Sequence, residues 1–225
     1  MKKIILSTFL LFLTFIAFAQ DYTTPDTGVT WTLDDIAAAS PTTITISGSE
    51  YTLLGNLTIS ENDTVIIDSD LTLLIDDAKL VTVFGTFTVN SNAVTITALD
   101  ENAPYEGFRF EEFSEIDINN ATIQYGGGLR GLTETFSIDG CTLTNNVSGA
   151  TTSAVIQLSR GLPQITNNTI SFNENPAIGS AANSAVSAYI FNNMIEGNNQ
   201  ANSNRPQINL GTTLANEPLE IIQNT

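Results

Sequence analysis

Ile165-Thr166-Asn167-Asn168-Thr169-Ile170 decides how this chain is read, because imperfect copies of it recur on both sides. In register on the first isoleucine stand Ile118-Asn119-Asn120-Ala121-Thr122-Ile123 and Ile138-Asp139-Gly140-Cys141-Thr142-Leu143 upstream, and Ile190-Phe191-Asn192-Asn193-Met194-Ile195 downstream. A last copy, Ile221-Ile222-Gln223-Asn224-Thr225, ends before its closing apolar residue. The starts lie 20, 27, 25 and 31 residues apart. Self-similarity at such intervals is the signature of a solenoid.

One copy contains two short β segments that meet at a sharp bend, with an Ile or Leu from each facing a shared interior. The bend needs a residue that tolerates positive φ, which favours Asn and Gly. Stacked bends would also let Asn amides hydrogen-bond along the stack. A single rung cannot bury its isoleucines, but a neighbouring rung can, for about 1.5–3 kcal/mol per side chain. The expected fold is therefore all-β, a parallel β-helix with a structural turn row of Asn120, Gly140, Asn167, Asn168, Asn192, Asn193 and Asn224. A β-sandwich also favours short strands and Asn turns, yet its turns would not repeat one Ile-to-Ile interval.

The beginning of the chain reads as export. Lys2 and Lys3 precede an apolar run from Ile4 to Ile16, and Ala17-Phe18-Ala19 forms a small-residue cleavage site. Residues 1–19 are assigned as a signal peptide, 20–41 as a leader that caps the first rung, and 42–225 as the solenoid. Within the leader, Trp31 to Ala39 suits a short amphipathic helix or turn. After the signal no stretch is apolar enough for a bilayer span, so no membrane insertion of the mature chain is expected. Strand-sized segments follow at Thr43–Ile46, Tyr51–Leu54, Leu57–Ile59, Thr64–Ile67, Leu71–Ile75, Leu80–Phe84, Phe87–Val89 and Val94–Thr97.

Charge narrows the partners. Without residues 1–19 the chain carries five basic residues against 24 acidic ones, a net charge of −19, and 18 of the acids fall at or before Asp117. Nucleic acid needs Lys and Arg and is not an expected partner. There is no His, which excludes Ser-His-Asp catalysis and His-bound metal. The lone Cys141 excludes an internal disulfide. Gly126-Gly127-Gly128-Leu129-Arg130-Gly131 matches a dinucleotide fingerprint in letters only, because the following Leu132–Ile138 reads as strand where a helix is required.

Tyr105-Glu106-Gly107-Phe108-Arg109-Phe110, then Ser114, Ile116-Asp117-Ile118 and Ala121-Thr122-Ile123-Gln124-Tyr125-Gly126-Gly127-Gly128, form a further pattern. Here the chain resembles secreted bacterial right-handed parallel β-helix proteins, which often carry aromatic-x-Gly-apolar-x-Phe followed by Ser and an Ile-x-Tyr-Gly-Gly sequence. Tyr105 stands where Trp is more usual. The cleavage sequence and the Asn/Thr-rich style are similar to Bacteroidetes proteins exported by a type IX system, whose C-terminal sorting domain has no counterpart here. With the cut-off last copy, this leads to the expectation that the chain continues beyond Thr225 and stacks on the final rung.

Three function classes are open, and the resemblance bears on the second of them, a known occupation of β-helix folds. The first is a non-enzymatic extracellular or cell-surface scaffold for adhesion or glycan binding, with Tyr125, Arg130, Arg160 and Tyr189 as carbohydrate-contact candidates. Tyr125 aligns with Phe172, as in a stacked aromatic row. The second is a Ca²⁺-dependent polysaccharide lyase acting on uronate-containing glycans, with Asp68/Asp70 and Asp76/Asp77 on the cation and Arg109, Arg130 or Arg160 as base. Arg stays protonated unless strongly perturbed, and an acidic surface repels uronates, so the scaffold is favoured. It requires no resident cofactor. The third class, ice binding through Thr ladders, calls for evenly sized flat rungs, and intervals of 20 to 31 speak against it.

Overall fold

A computed structural model describes residues 19–149 and 152–225; apart from Ala19, the expected signal segment lies outside them. The chain forms a parallel β-solenoid of about six turns, 47% strand and 3% helical. Its strands add into one eight-stranded and one fourteen-stranded sheet. Among the named strands only the hairpin Ile44–Ser47 with Glu50–Leu53 is antiparallel. Among the described residues no helix is long and apolar enough to cross a membrane.

The rung from Gly107 to Gly128 shows how sequence becomes a coil. Gly107–Phe110 lies in the eight-stranded sheet, which forms the first lateral face. A corner at Glu111 to Ser114 turns the chain into the strand Glu115–Gln124. That strand bends at Asn120, φ 54°, so its first half builds a second face and its second half a third. Tyr125, φ 55°, then turns the chain back towards the first face, where Leu129 lies in register with Phe108. Apolar and polar residues alternate along each segment because successive strand side chains point to opposite faces. In Glu115–Ile118 the two isoleucines are buried and the two acids exposed.

The Ile-to-Ile register of the repeat is the register of the sheet. Ile118 pairs with Ile138, Ile138 with Ile165, Ile165 with Ile190 and Ile190 with Ile221. The second apolar column, Ile123, Leu143, Ile170 and Ile195, is paired in the same way. Higher in the coil, Phe87, Phe108, Phe110 and Phe136 form a layer with neighbouring centroids 5.6–6.3 Å apart. The separate segments expected at Phe87–Val89 and Val94–Thr97 belong to one strand, Thr86–Ala98.

The paired asparagines divide their work. The first of the two turn positions in each copy takes the left-handed conformation: Asn120, Gly140, Asn167 and Asn192 have φ of 54–63°, and Gln223 follows at 57°. The second points inward and is buried in Asn168 and Asn193. Asn168 Oδ1 accepts from the Cys141 N–H, Asn193 Oδ1 from the Asn168 N–H and Asn224 Oδ1 from the Asn193 N–H, all at 2.9 Å. Each Nδ2 donates to a carbonyl of the rung above, including Ile138, Ile165 and Ile190. These contacts satisfy backbone groups that a sharp bend would leave unpaired inside the core.

A second ladder stands five residues further on, at Asn146, Asn173 and Asn198. The Asn146 N–H donates to Asn173 Oδ1 at 2.8 Å, and the Asn173 N–H to Asn198 Oδ1 at 3.2 Å. The residue before each asparagine again has positive φ: Asn145, Phe172 and Gly197. The ladder ends upward at Gly126, where a Cβ would sit 2.1 Å from the Tyr105 ring.

The leader closes the upper end of the coil. Tyr22–Thr23 and Thr30–Trp31 pair in parallel with Leu57–Ile59 and Thr64–Ile67. Helix α1, Leu33–Ala39, starts on a capping box between Thr32 and Asp35 and buries Leu33, Ile36 and Ala37. The loop between the two leader strands is held by Asp63, 1% exposed, whose carboxylate accepts the N–H groups of Asp26, Thr27, Gly28 and Val29 at 2.8–3.1 Å.

Candidate functional site

The four carbohydrate-contact candidates fall in three places. Tyr125 occupies the corner between the third and first faces, half-buried against the core. Phe172 holds the equivalent position, but Asn145 occupies it in the intervening rung, so the expected aromatic row is not continuous. The corner selects for positive φ, and an aromatic is admitted there only where its ring can lie on the surface. Arg130 is half-buried on the first face, in register between Arg109 and Gln157. Arg160 and Tyr189 lie on the opposite side of the rung, at and beyond the corner between the first and second faces.

These last two line neighbouring depressions of one groove-like row. Its upper part is a cleft lined by Glu112, Phe113, Thr133, Glu134, Thr135 and Arg160. Glu134 also lines the next depression, with Gly161, Leu162 and Glu217. Leu162 and Glu217 continue into a third, with Gln164, Tyr189 and Glu220. The three depressions thus adjoin in a row, a segmented trough along the corner with Glu134, Leu162 and Glu217 as common walls.

Phe113, which the sequence reading passed over, stands at the upper end. It is 80% exposed and has φ 72°, a conformation that costs a bulky residue energy. Arg160 reaches up to form an ion pair with Glu112 beside it. At the lower end Tyr189 stacks on Phe191, centroids 5.6 Å apart and planes within 9°. Register imposes this pairing, because the two residues occupy alternate outward positions of one strand. The trough therefore offers aromatic surface at both ends and carboxylates between them, with Arg160 engaged by one of those acids.

The lyase candidates are not gathered into a site. Asp68/Asp70 and Asp76/Asp77 flank opposite ends of the strand Leu71–Ile75, about 20 Å apart at strand rise. Asp70 is already used as a turn acceptor by the Ala93 N–H, at 3.1 Å, and by Ser91 Oγ. Arg109 is paired with Glu111. Among the described residues no three acidic, Cys or His side chains converge as a metal cluster would require.

Cys141 is buried in the inner ladder, in the place that Asn168 takes one rung below. Burial pushes its thiol up to about 12, against the hydrogen bond from the Ala121 N–H at 3.3 Å. This favours the thiol form over a reactive thiolate.

No protein-family model, curated protein or solved structure matches the chain.

Proposed function

We propose that this chain is an exported, non-enzymatic β-solenoid that binds an extended glycan along the corner groove, at the cell surface or outside it. The signal-like residues 1–19 and the likeness to secreted bacterial β-helix proteins support export in this reading, with the type IX route of Bacteroidetes as the proposed pathway. The observation that carries the binding role is the row of adjoining depressions with the exposed Phe113 at one end and the half-buried Tyr189 at the other. Sugar rings pack their apolar faces on aromatic rings, while polar side chains between them take the hydroxyls. Glu112, Glu134, Glu217 and Glu220 line the trough against Arg160, which favours neutral or amino sugars and disfavours uronates. An array of neutral, amino and uronate oligosaccharides tests this reading. Phe113→Ala and Tyr189→Ala should each weaken the best ligand by roughly tenfold, and Phe172→Ala, outside the trough, should not. Uniform silence across the array, or full affinity in both groove variants, would refute it.

A further inference from the structure

The third lateral face carries a grid that the groove does not use. In five successive rungs its outward position is Thr: Thr72, Thr95, Thr122, Thr142 and Thr169, joined in register. Two residues along each strand stands a second column, Leu74, Thr97, Gln124, Thr144 and Ser171, in which Thr97 and Ser171 are largely covered, so that the unbroken Thr column carries the exposed repeat. Gln124 Nε2 donates to Thr97 Oγ1 at 3.4 Å, tying adjacent rungs of that column. All ten positions are uncharged in a chain with 24 acidic residues. Charge returns only at the ends, with Glu50 paired to Thr72 above and Glu196 paired to Ser171 below.

Unequal rung lengths do not disturb this face. Between Thr72 and Thr169 the intervals are 23, 27, 20 and 27 residues, yet every rung presents the same positions. The extra residues lie in connections such as 99–106, and the register shift at Asn119/Ala121 falls at the bend before the face begins. The uneven repeat, which counted against a flat Thr array when only the sequence was considered, therefore has no bearing on it.

From this geometry we infer that the third face binds the surface of ice. Adjacent rungs repeat at about 4.8 Å and alternate residues at about 6.7 Å, both close to oxygen repeats on the faces of an ice crystal. Each Thr presents a hydroxyl that donates and accepts beside a methyl that orders the water around it. The grid repeats in register from rung to rung along one lateral face, which suits a periodic solid and not a small solute, whose sites are concave. Across its ten positions it offers no cation for a polyanion and no aromatic ring for a sugar. Strand propensity alone does not account for the Thr column. The second face has the same backbone requirement, yet its central outward column reads Thr88, Asp117, Ser137, Gln164, Tyr189 and Glu220.

The test uses the full chain in slowly growing polycrystalline ice, with recrystallisation inhibition as a second measure. The protein should enter the ice with an enrichment that an inert protein of similar charge lacks, and it should hold grain size down. The double variant Thr122→Lys/Thr142→Lys should lose potency by roughly tenfold or more, with circular dichroism unchanged. Ser137→Lys, the same charge change on the second face, should retain it. Exclusion of the wild-type chain from ice would overturn the inference, as would a folded double variant with full potency. If the double variant does not fold, the wild-type partition decides alone. The groove plays no part in this assay, so a failed glycan test and a failed ice test remain separate results.

Discussion

The Asn168 amide donates to Asn193 Oδ1 at 2.9 Å, across 25 residues of sequence and one step of the coil. The same oxygen also takes the Asn168 N–H, and Asn193 Nδ2 donates to Ile165 and Phe191 carbonyls. One side chain thus completes the polar groups of two rungs inside an apolar core. Asn193→Ala would orphan several of them, and each buried unsatisfied group costs about 1–3 kcal/mol. A loss of about 2–4 kcal/mol in urea unfolding is expected. Asn192→Gly, at the exposed left-handed position, should be neutral or slightly stabilising. Equal losses in the two variants would show that the division of labour within the Asn pair is misassigned.

Asp63 gives the upper end of the coil a pH dependence. Burial opposes its ionisation, but hydrogen bonds from Thr24 and from the N–H groups of Val29, Asp26 and Thr27 outweigh burial and hold its carboxyl below the usual Asp range. A depressed folded-state value stabilises the fold above the unfolded value, about 3.9, and that stability disappears as pH falls through the folded value. Unfolding midpoints measured from pH 6 downward should decline into this range in the wild type. Asp63→Asn should start lower and show a shallower acid decline. A variant curve parallel to the wild type would count against the carboxylate clip.

Tyr105 carries a buried hydroxyl with no hydrogen-bond partner among the described residues. Burial alone pushes its ionisation upward. Its ring earns its place by packing edge-on to Phe108, centroids 6.3 Å apart, and by filling the space over Gly126. Tyr105→Phe keeps the ring and removes the orphan. It should raise stability by about 1 kcal/mol, which differential scanning calorimetry would register as a higher Tm. Gly126→Ala should be among the most damaging single changes, because its Cβ meets that ring at 2.1 Å.

The coil was legible because Ile165 and its equivalents repeat at the rate of one rung, and burial enforces the register that the letters suggest. The second ladder was also written in the chain, as Asn-Asn-Thr-Ile-Ser-Phe-Asn from Asn167 to Asn173 and Asn-Asn-Met-Ile-Glu-Gly-Asn from Asn192 to Asn198. It lies beyond the Ile-to-Ile unit, and the letters that lead to it, Ser171-Phe172 and Glu196-Gly197, have nothing in common. Phe113 gave no such signal. Its exposure depends on the path of a four-residue corner, and the trough joins residues from Glu112 to Glu220 that no local pattern connects. The Thr grid was hidden for a related reason. Intervals count loop residues and face residues alike, whereas strand pairing keeps only the latter in line.

Cys141 tests the interior directly. Its thiol is 1% exposed, and burial raises its pKa to about 12, so native protein at pH 8 holds almost no accessible thiolate. Ellman's reagent should therefore report no free thiol until the coil opens, then one per chain in denaturant. The labelling rate across a urea series should follow the opening of the rungs around Ile118 and Ile138, whose layer encloses the sulfur. Because the Asn168 bond to the Cys141 N–H spans that layer at 2.9 Å, Asn168→Ala should accelerate labelling in water. Asn192→Gly, outside the core, should leave the rate unchanged. Rapid labelling of the wild-type chain in buffer alone would mean that this part of the solenoid is not closed around its axis.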